Sequence, residues 1–86
     1  MSLEKNIGYK VRDLVAITPD DDTDINIEGF IILGDVGTNI KLWLAGGSAA
    51  ITIASDQLFA GKEYWWNVKR IYATTTDATG IYELKT

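Results

Sequence analysis

The sequence predicts an all-β protein, a small single-domain β-sandwich or barrel of about six short strands. Three observations carry that prediction. Short apolar runs recur at roughly ten-residue spacing, with turn-forming residues between them. Two of those runs alternate apolar and polar side chains with a period of two. No stretch after residue 12 keeps a helical period.

Taken in order, residues 1–12 mix Glu4, Lys5, Lys10 and Arg12 with Gly8 and scattered apolar positions, and read as an N-terminal arm or short helix. Residues 13–86 form the β domain. The run Leu14 to Thr18 ends at Pro19, the only proline, and Asp20-Asp21-Asp22-Thr23-Asp24 is a turn cluster. Phe30-Ile31-Ile32-Leu33 is β-branched and aromatic, as a buried strand requires. Gly34-Asp35-Val36-Gly37 is turn chemistry. From Thr38 to Ala45, Ile40, Leu42 and Leu44 share one face, with Lys41 and Trp43 on the other. Gly46-Gly47-Ser48 reverses the chain into Ile51-Thr52-Ile53, completing a hairpin. Ser55 to Glu63 is a loop with Leu58 and Phe59 turned inward. Tyr64 to Ala73 reads as one long strand, apolar in part on both faces. A polar loop, Thr74 to Gly80, leads to a closing strand from Ile81 to Lys85.

Composition narrows the function classes. The chain has 86 residues, no cysteine, no histidine and a formal charge of −4. A domain of this size buries only about 60–65% of its unfolded surface, so its core is thin. No disulfide and no ordinary zinc site can reinforce it. The 47% hydrophobic content then points to subunit contacts as the remaining staple. Without His or Cys there is no imidazole base and no thiol nucleophile, so the expectation is a non-enzymatic protein with no cofactor. Charge is unevenly spread. Asp13, Asp20, Asp21, Asp22, Asp24, Glu28 and Asp35 crowd residues 13–35 without a single base. That excludes the basic stripe of a nucleic-acid binder. No apolar run approaches a membrane span, and no signal-peptide pattern is present, so no membrane partner is expected.

Three constellations are candidate sites. Asp20, Asp22 and Asp24 have the alternation of a calcium loop, but Ile25 and Ile31 stand where its glycine and bidentate glutamate belong. A solvated turn with its own Asx bonds, a looser calcium site, and an interface turn (Asp20, Asp21, Asp22 and Asp24) facing Lys69-Arg70 of a neighbouring subunit all remain open. The aromatic set Tyr64, Trp65, Trp66 and Tyr72, with Trp43, reads as core plus interface, or as a sugar or nucleobase platform. Lys69 and Arg70, on alternating strand positions, face opposite ways, and a structural salt bridge is their ordinary use.

The order of these segments resembles the head-spike base proteins of tailed phages and gene transfer agents. The resemblance rests on Thr18-Pro19 with the acidic turn to Ile25, on Leu44-Ala45-Gly46-Gly47-Ser48, and on Val68-Lys69-Arg70-Ile71-Tyr72-Ala73-Thr74 with Thr76-Asp77-Ala78-Thr79-Gly80-Ile81. It covers roughly residues 12–82. The chain departs from that pattern at Asp20 and Asp22, where small hydroxyl residues are expected, and at Trp65-Trp66, where aliphatic residues are. The resemblance implies a structural virion protein on the capsid exterior, assembled in the host cytoplasm. Its partners would be its own copies (a pentamer, with a trimer as the alternative), the major capsid protein, and a spike or fibre protein. A capsid decoration protein is the related reading. A carbohydrate-binding or host-adhesion module using the aromatic strand is the alternative from a different class.

Overall fold

The computed structural model describes residues 11–86, and these residues are all-β, with seven short strands and one 3-10 turn at Ser55–Gln57. The strands are β1 (Asp13–Ala16), β2 (Phe30–Ile32), β3 (Asn39–Leu44), β4 (Ile51–Ala54), β5 (Glu63–Tyr64), β6 (Val68–Ile71) and β7 (Ile81–Lys85). They form two antiparallel sheets, ordered β1-β7-β2-β5 and β4-β3-β6, and no closed barrel. Of the expected N-terminal arm or short helix, residues 1–10 lie outside the described residues. Arg12 donates its backbone N–H to the Lys85 carbonyl at 2.7 Å, extending β1 along β7.

The core is where the period-two strands meet. Phe30, Ile32 and Ile81 from one sheet face Ile40, Leu42, Val68 and Ile71 from the other, with Ile27, Tyr64 and Ala78 at the margins. Ile31 and Leu84 are buried as well, outside that cluster, so β2 is covered on both faces, as its unbroken apolar run requires.

The long strand expected from Tyr64 to Ala73 is two strands in two different sheets. β5 pairs with β2, and β6 pairs with β3. Residues 65–67 carry the chain between the layers. The cause is aromatic packing at the corner. Phe30 stacks on Tyr64 with centroids 5.5 Å apart and meets the edge of Trp66 at 5.5 Å, while Tyr64 and Trp66 lie 5.3 Å apart. Such offset and edge-on contacts add to the gain from burial. A flat strand would send Trp65 and Trp66 to opposite faces of one sheet. Here Trp66 turns onto Phe30, and the ring of Trp65 lies over Gly29, where a Cβ would come within 2.7 Å of it.

The loop from Ser55 also differs from its reading. Leu58 packs against the core, but Phe59 is 66% exposed. Its backbone N–H donates to the Tyr64 hydroxyl at 2.8 Å, which fixes the main chain with the ring pointing outward beneath Lys62.

The polar loop 74–80 clamps the β2–β3 turn. Asp77 accepts hydrogen bonds from Thr38 N–H (2.9 Å), the Thr38 hydroxyl (2.5 Å) and Asn39 N–H (2.8 Å). Thr79 donates to the Asp35 carbonyl, and its hydroxyl accepts from Asp35 N–H. Gly37 and Gly80 take positive φ at this joint, and a Cβ on Gly37 would sit 2.5 Å from Asp77 Oδ1.

Two predictions follow from this packing. Phe30→Ala removes the ring that both sheets share and costs about 3–5 kcal/mol in urea denaturation, whereas Phe59→Ala changes stability by less than about 0.5 kcal/mol. A comparable loss at both positions would contradict the aromatic corner. The second concerns acid. The Asn39 N–H, the Thr38 hydroxyl and the Thr38 N–H hold the Asp77 pKa down from 3.8 to about 2. Its folded pKa is depressed, so its contribution to stability is complete above about pH 4 and fades as the pH falls toward about 2. Asp77→Asn therefore lowers the melting temperature at neutral pH, and the gap from wild type narrows toward pH 2. A gap of constant size across that range would refute the assignment.

Candidate functional site

The outer face of the β4-β3-β6 sheet gathers most of the residues singled out from the sequence. On β3, Ile40 and Leu42 point into the core, so Lys41 and Trp43 point out. β6 pairs with β3 through Leu42↔Ile71 and Trp43↔Arg70, but Leu44 then pairs with Val68. Lys69 is the extra residue of a β-bulge. A bulge sets two residues of one strand against one of the next. Its consequence overturns the expectation that Lys69 and Arg70 face opposite ways. Lys69 Nζ lies 3.9 Å from the centroid of the Trp43 ring, and Arg70 Cζ lies 5.8 Å from it. Both cations share one tryptophan.

The row continues sideways. Tyr72 N–H donates to the Lys41 carbonyl at 2.9 Å, extending the pairing beyond β6. Lys41 Nζ lies 4.8 Å from the Tyr72 ring centroid, and Arg70 Cζ lies 5.5 Å from it. The face thus reads Lys69, Trp43, Arg70, Tyr72, Lys41, with cation and ring alternating. Trp43 is fixed in place by its indole N–H, which donates to the Gly47 carbonyl at 2.9 Å.

The acidic turn packs against this face within the same chain. Arg70 Nε and Nη2 both reach Asp24 Oδ1, at 2.8 and 2.6 Å, and Nη1 donates to the Asp21 carbonyl at 2.9 Å. That hydrogen bond to Asp24 raises the Arg70 pKa and keeps the guanidinium charged. Asp21 accepts the Thr74 hydroxyl at 2.6 Å and the Thr74 N–H at 2.9 Å, and these two bonds lower its pKa. The base opposite Asp24 is therefore the chain's own Arg70, and the Asp21 carboxylate is held by Thr74 of the same chain. The turn lies along β6 because Asp20 N–H donates to the Ile71 carbonyl, and Ile25 and Asn26 N–H both donate to the Lys69 carbonyl turned out by the bulge. Asn26 has φ of 50°, which suits asparagine. Asp22 N–H donates to Asp20 Oδ1 at 2.8 Å, the Asx bond of a solvated turn. Among the described residues, no group of three carboxylates converges to hold a metal ion.

Trp65 and Trp66 are not part of this face. Trp66 belongs to the aromatic corner, and Trp65 donates its indole N–H to Glu63 Oε1 at 3.0 Å beside Gly29. The expected aromatic strand is divided between two places. Tyr72, named with the aromatic set, lies on this face beside Trp43, and Lys41 joins it without having been singled out, although strand alternation had already set Lys41 with Trp43. One further feature was not foreseen: a surface hollow of about 250 Å³ lined by Asn26, Glu28, Glu83, Leu84, Lys85 and Thr86. Glu83 Oε2 stands 3.7 Å from Lys85 Nζ there.

The pinned turn makes a measurable prediction. Thr74→Val removes the hydroxyl from Asp21 and moves the Asp21 titration midpoint upward toward the ordinary aspartate value, read by carboxyl-carbon NMR. An unchanged midpoint would show that Thr74 is not what holds Asp21 ionised.

Comparison with family models, with curated proteins and with solved structures finds no match. The residues above carry the functional argument by themselves.

Proposed function

We propose that this chain is a structural module of a virion exterior, a head-spike base or capsid decoration protein, that self-associates and docks on protein partners without catalysing a reaction. The observation that carries self-association is an unfinished sandwich. Val15 pairs with Glu83, which pairs with Phe30, so Val15 occupies a core-side position. Ile51 pairs with the core residue Leu42 and does the same on the other sheet. Yet the two are 42% and 44% exposed. Core-side positions left in water are completed by a neighbour's apolar surface.

The Lys69-Trp43-Arg70-Tyr72-Lys41 face supports docking. Tryptophan, tyrosine and arginine are the residues that concentrate binding energy at interfaces, and here Trp43 and Arg70 are already fixed before any partner arrives. Among the described residues, Lys41 and Lys69 have no carboxylate within ion-pair distance. Their ammonium groups suit an acidic patch on a capsid or spike protein. The segments that carry the resemblance to head-spike base proteins fall on the acidic turn, the β3–β4 loop, β6 and the 74–80 clamp. A carbohydrate platform has less support, because the tryptophans are dispersed and Lys69 covers one face of Trp43.

Light scattering of the full chain at tens of micromolar tests self-association: a stable oligomer is expected, and a monomer throughout would overturn it. Electron microscopy of particles assembled with wild-type or Trp43→Ala protein tests docking. External density is expected with the first and not the second. Equal density with both would remove Trp43 from the docking surface.

A further inference from the structure

Of the four sheet edges, two are already occupied or short. The outer side of β6 is taken by the 20–27 segment, through the Ile27↔Val68 bridge and the bonds from Asp20 and Ile25. β5 has two residues, one of them Glu63. Among the described residues, the long edges with no further strand beside them are β1 and β4, and they differ in kind. Ile17 N–H donates to Ile81, so odd-numbered residues of β1 bond to β7 and even-numbered ones point outward. The outward N–H of Leu14 is closed off by Asp13 Oδ1 at 2.8 Å. A carboxylate on an edge is a device against pairing.

β4 has no such device. Ser55 N–H donates to the Thr38 carbonyl, which makes Ile51 and Ile53 the residues bonded to β3. The N–H and C=O groups of Thr52 and Ala54 therefore point away from the sheet. No charged residue lies between Lys41 and Asp56, and no proline interrupts the strand. The loop before it is Ala45-Gly46-Gly47-Ser48-Ala49-Ala50, with no large side chain to obstruct a second strand.

We infer that β4 is the assembly edge and that its occupant is β4 of a second copy, paired antiparallel about a two-fold axis at Thr52. This rests on the self-association reading above and names its contact. The register follows from the outward groups. Thr52 meets the partner's Thr52, exchanging both backbone bonds, and Ala54 meets the partner's Ala50. Ile51 then lies beside the partner's Ile53 on the core side, which removes the exposed isoleucine from water. An uncharged edge pairs with its own copy without electrostatic cost, and the two-fold axis satisfies both copies alike. The product is a continuous six-stranded sheet, with a cation-aromatic face on each half.

Two variants of the full chain test it against light scattering. Thr52→Pro removes only an outward N–H, which an edge strand tolerates. It is expected to keep the wild-type circular dichroism and to lose the dimer at concentrations where wild type is dimeric. Ala16→Pro on β1 is expected to leave the dimer intact. Because the chain has no cysteine, single cysteines report the register whether or not the proline variant folds. Thr52→Cys is expected to cross-link with its copy on oxidation, and Ala54→Cys is not. A monomeric wild type would end both this contact and self-association. An oligomeric wild type in which Thr52→Pro still assembles, in which Ala16→Pro dissociates it, or in which Ala54→Cys cross-links in place of Thr52→Cys, would overturn the β4 contact and leave self-association standing.

Discussion

The fold depends on the aromatic corner of Phe30, Tyr64 and Trp66. A sandwich of two three- and four-stranded sheets needs at least one place where the chain passes from layer to layer and cannot slide. Here that place is residues 65–67, and the three rings hold it. Phe30 anchors β2, Tyr64 ends β5, and Trp66 begins the crossing into β6. A domain of this size has few core residues, so a corner that buries Phe30 and Tyr64 and half-buries Trp66 supplies a large share of its apolar contact. The Tyr64 hydroxyl extends the corner further by accepting the Phe59 N–H, which settles the loop arriving from β4. Remove the corner and the register of β5 on β2 and of β6 on β3 both lose their reference point.

The bulge at Lys69 is the second consequence of the crossing. A chain turning from one sheet into the other enters β6 with more residues than the β3 partner can match, and Lys69 is the surplus. Its carbonyl, turned away from β3, becomes the acceptor for Ile25 and Asn26, and so fastens the segment that carries the acidic turn. Its side chain joins Arg70 on Trp43. One local irregularity thus places the acid turn, the cations and the tryptophan together. Arg70 is the link, since it touches Asp24, the Asp21 carbonyl, Trp43 and Tyr72 at once.

Much of this was legible in the sequence. Alternation marked Ile40, Leu42 and Leu44 as one face and set Lys41 with Trp43 on the other, and β3, β4 and β7 lie where the pattern put them. The acidic turn declared its Asx bond. What alternation could not reveal is a change of sheet in mid-run. Tyr64 to Ala73 keeps strand-forming residues throughout, and period two counts positions without knowing which partner each one faces. The bulge is invisible for the same reason: Val68 and Ile71 are both buried although an unbroken strand would separate them. Phe59 was misread because its apolar ring suggested burial, while its backbone N–H was committed to Tyr64.

The negative charge acquires a different meaning from the structure. Asp13, Asp20, Asp21, Asp35 and Asp77 each accept a backbone N–H, from Leu14, Asp22, Thr74, Gly37 and the Thr38-Asn39 pair respectively. A small sandwich with short strands has many loop residues, and their N–H groups lack ladder partners. A short carboxylate is the strongest acceptor available to close them. The acidity of residues 13–35 therefore follows from how many turns that stretch must make before β3. For Asp13, Asp20, Asp21 and Asp35 it is loop chemistry distributed over the surface, and Asp24 meets the chain's own Arg70. Among the described residues, the ammonium groups of Lys41 and Lys69 have no carboxylate within ion-pair distance, and they lie on the face whose tryptophan and arginine are already fixed, the face proposed above for docking.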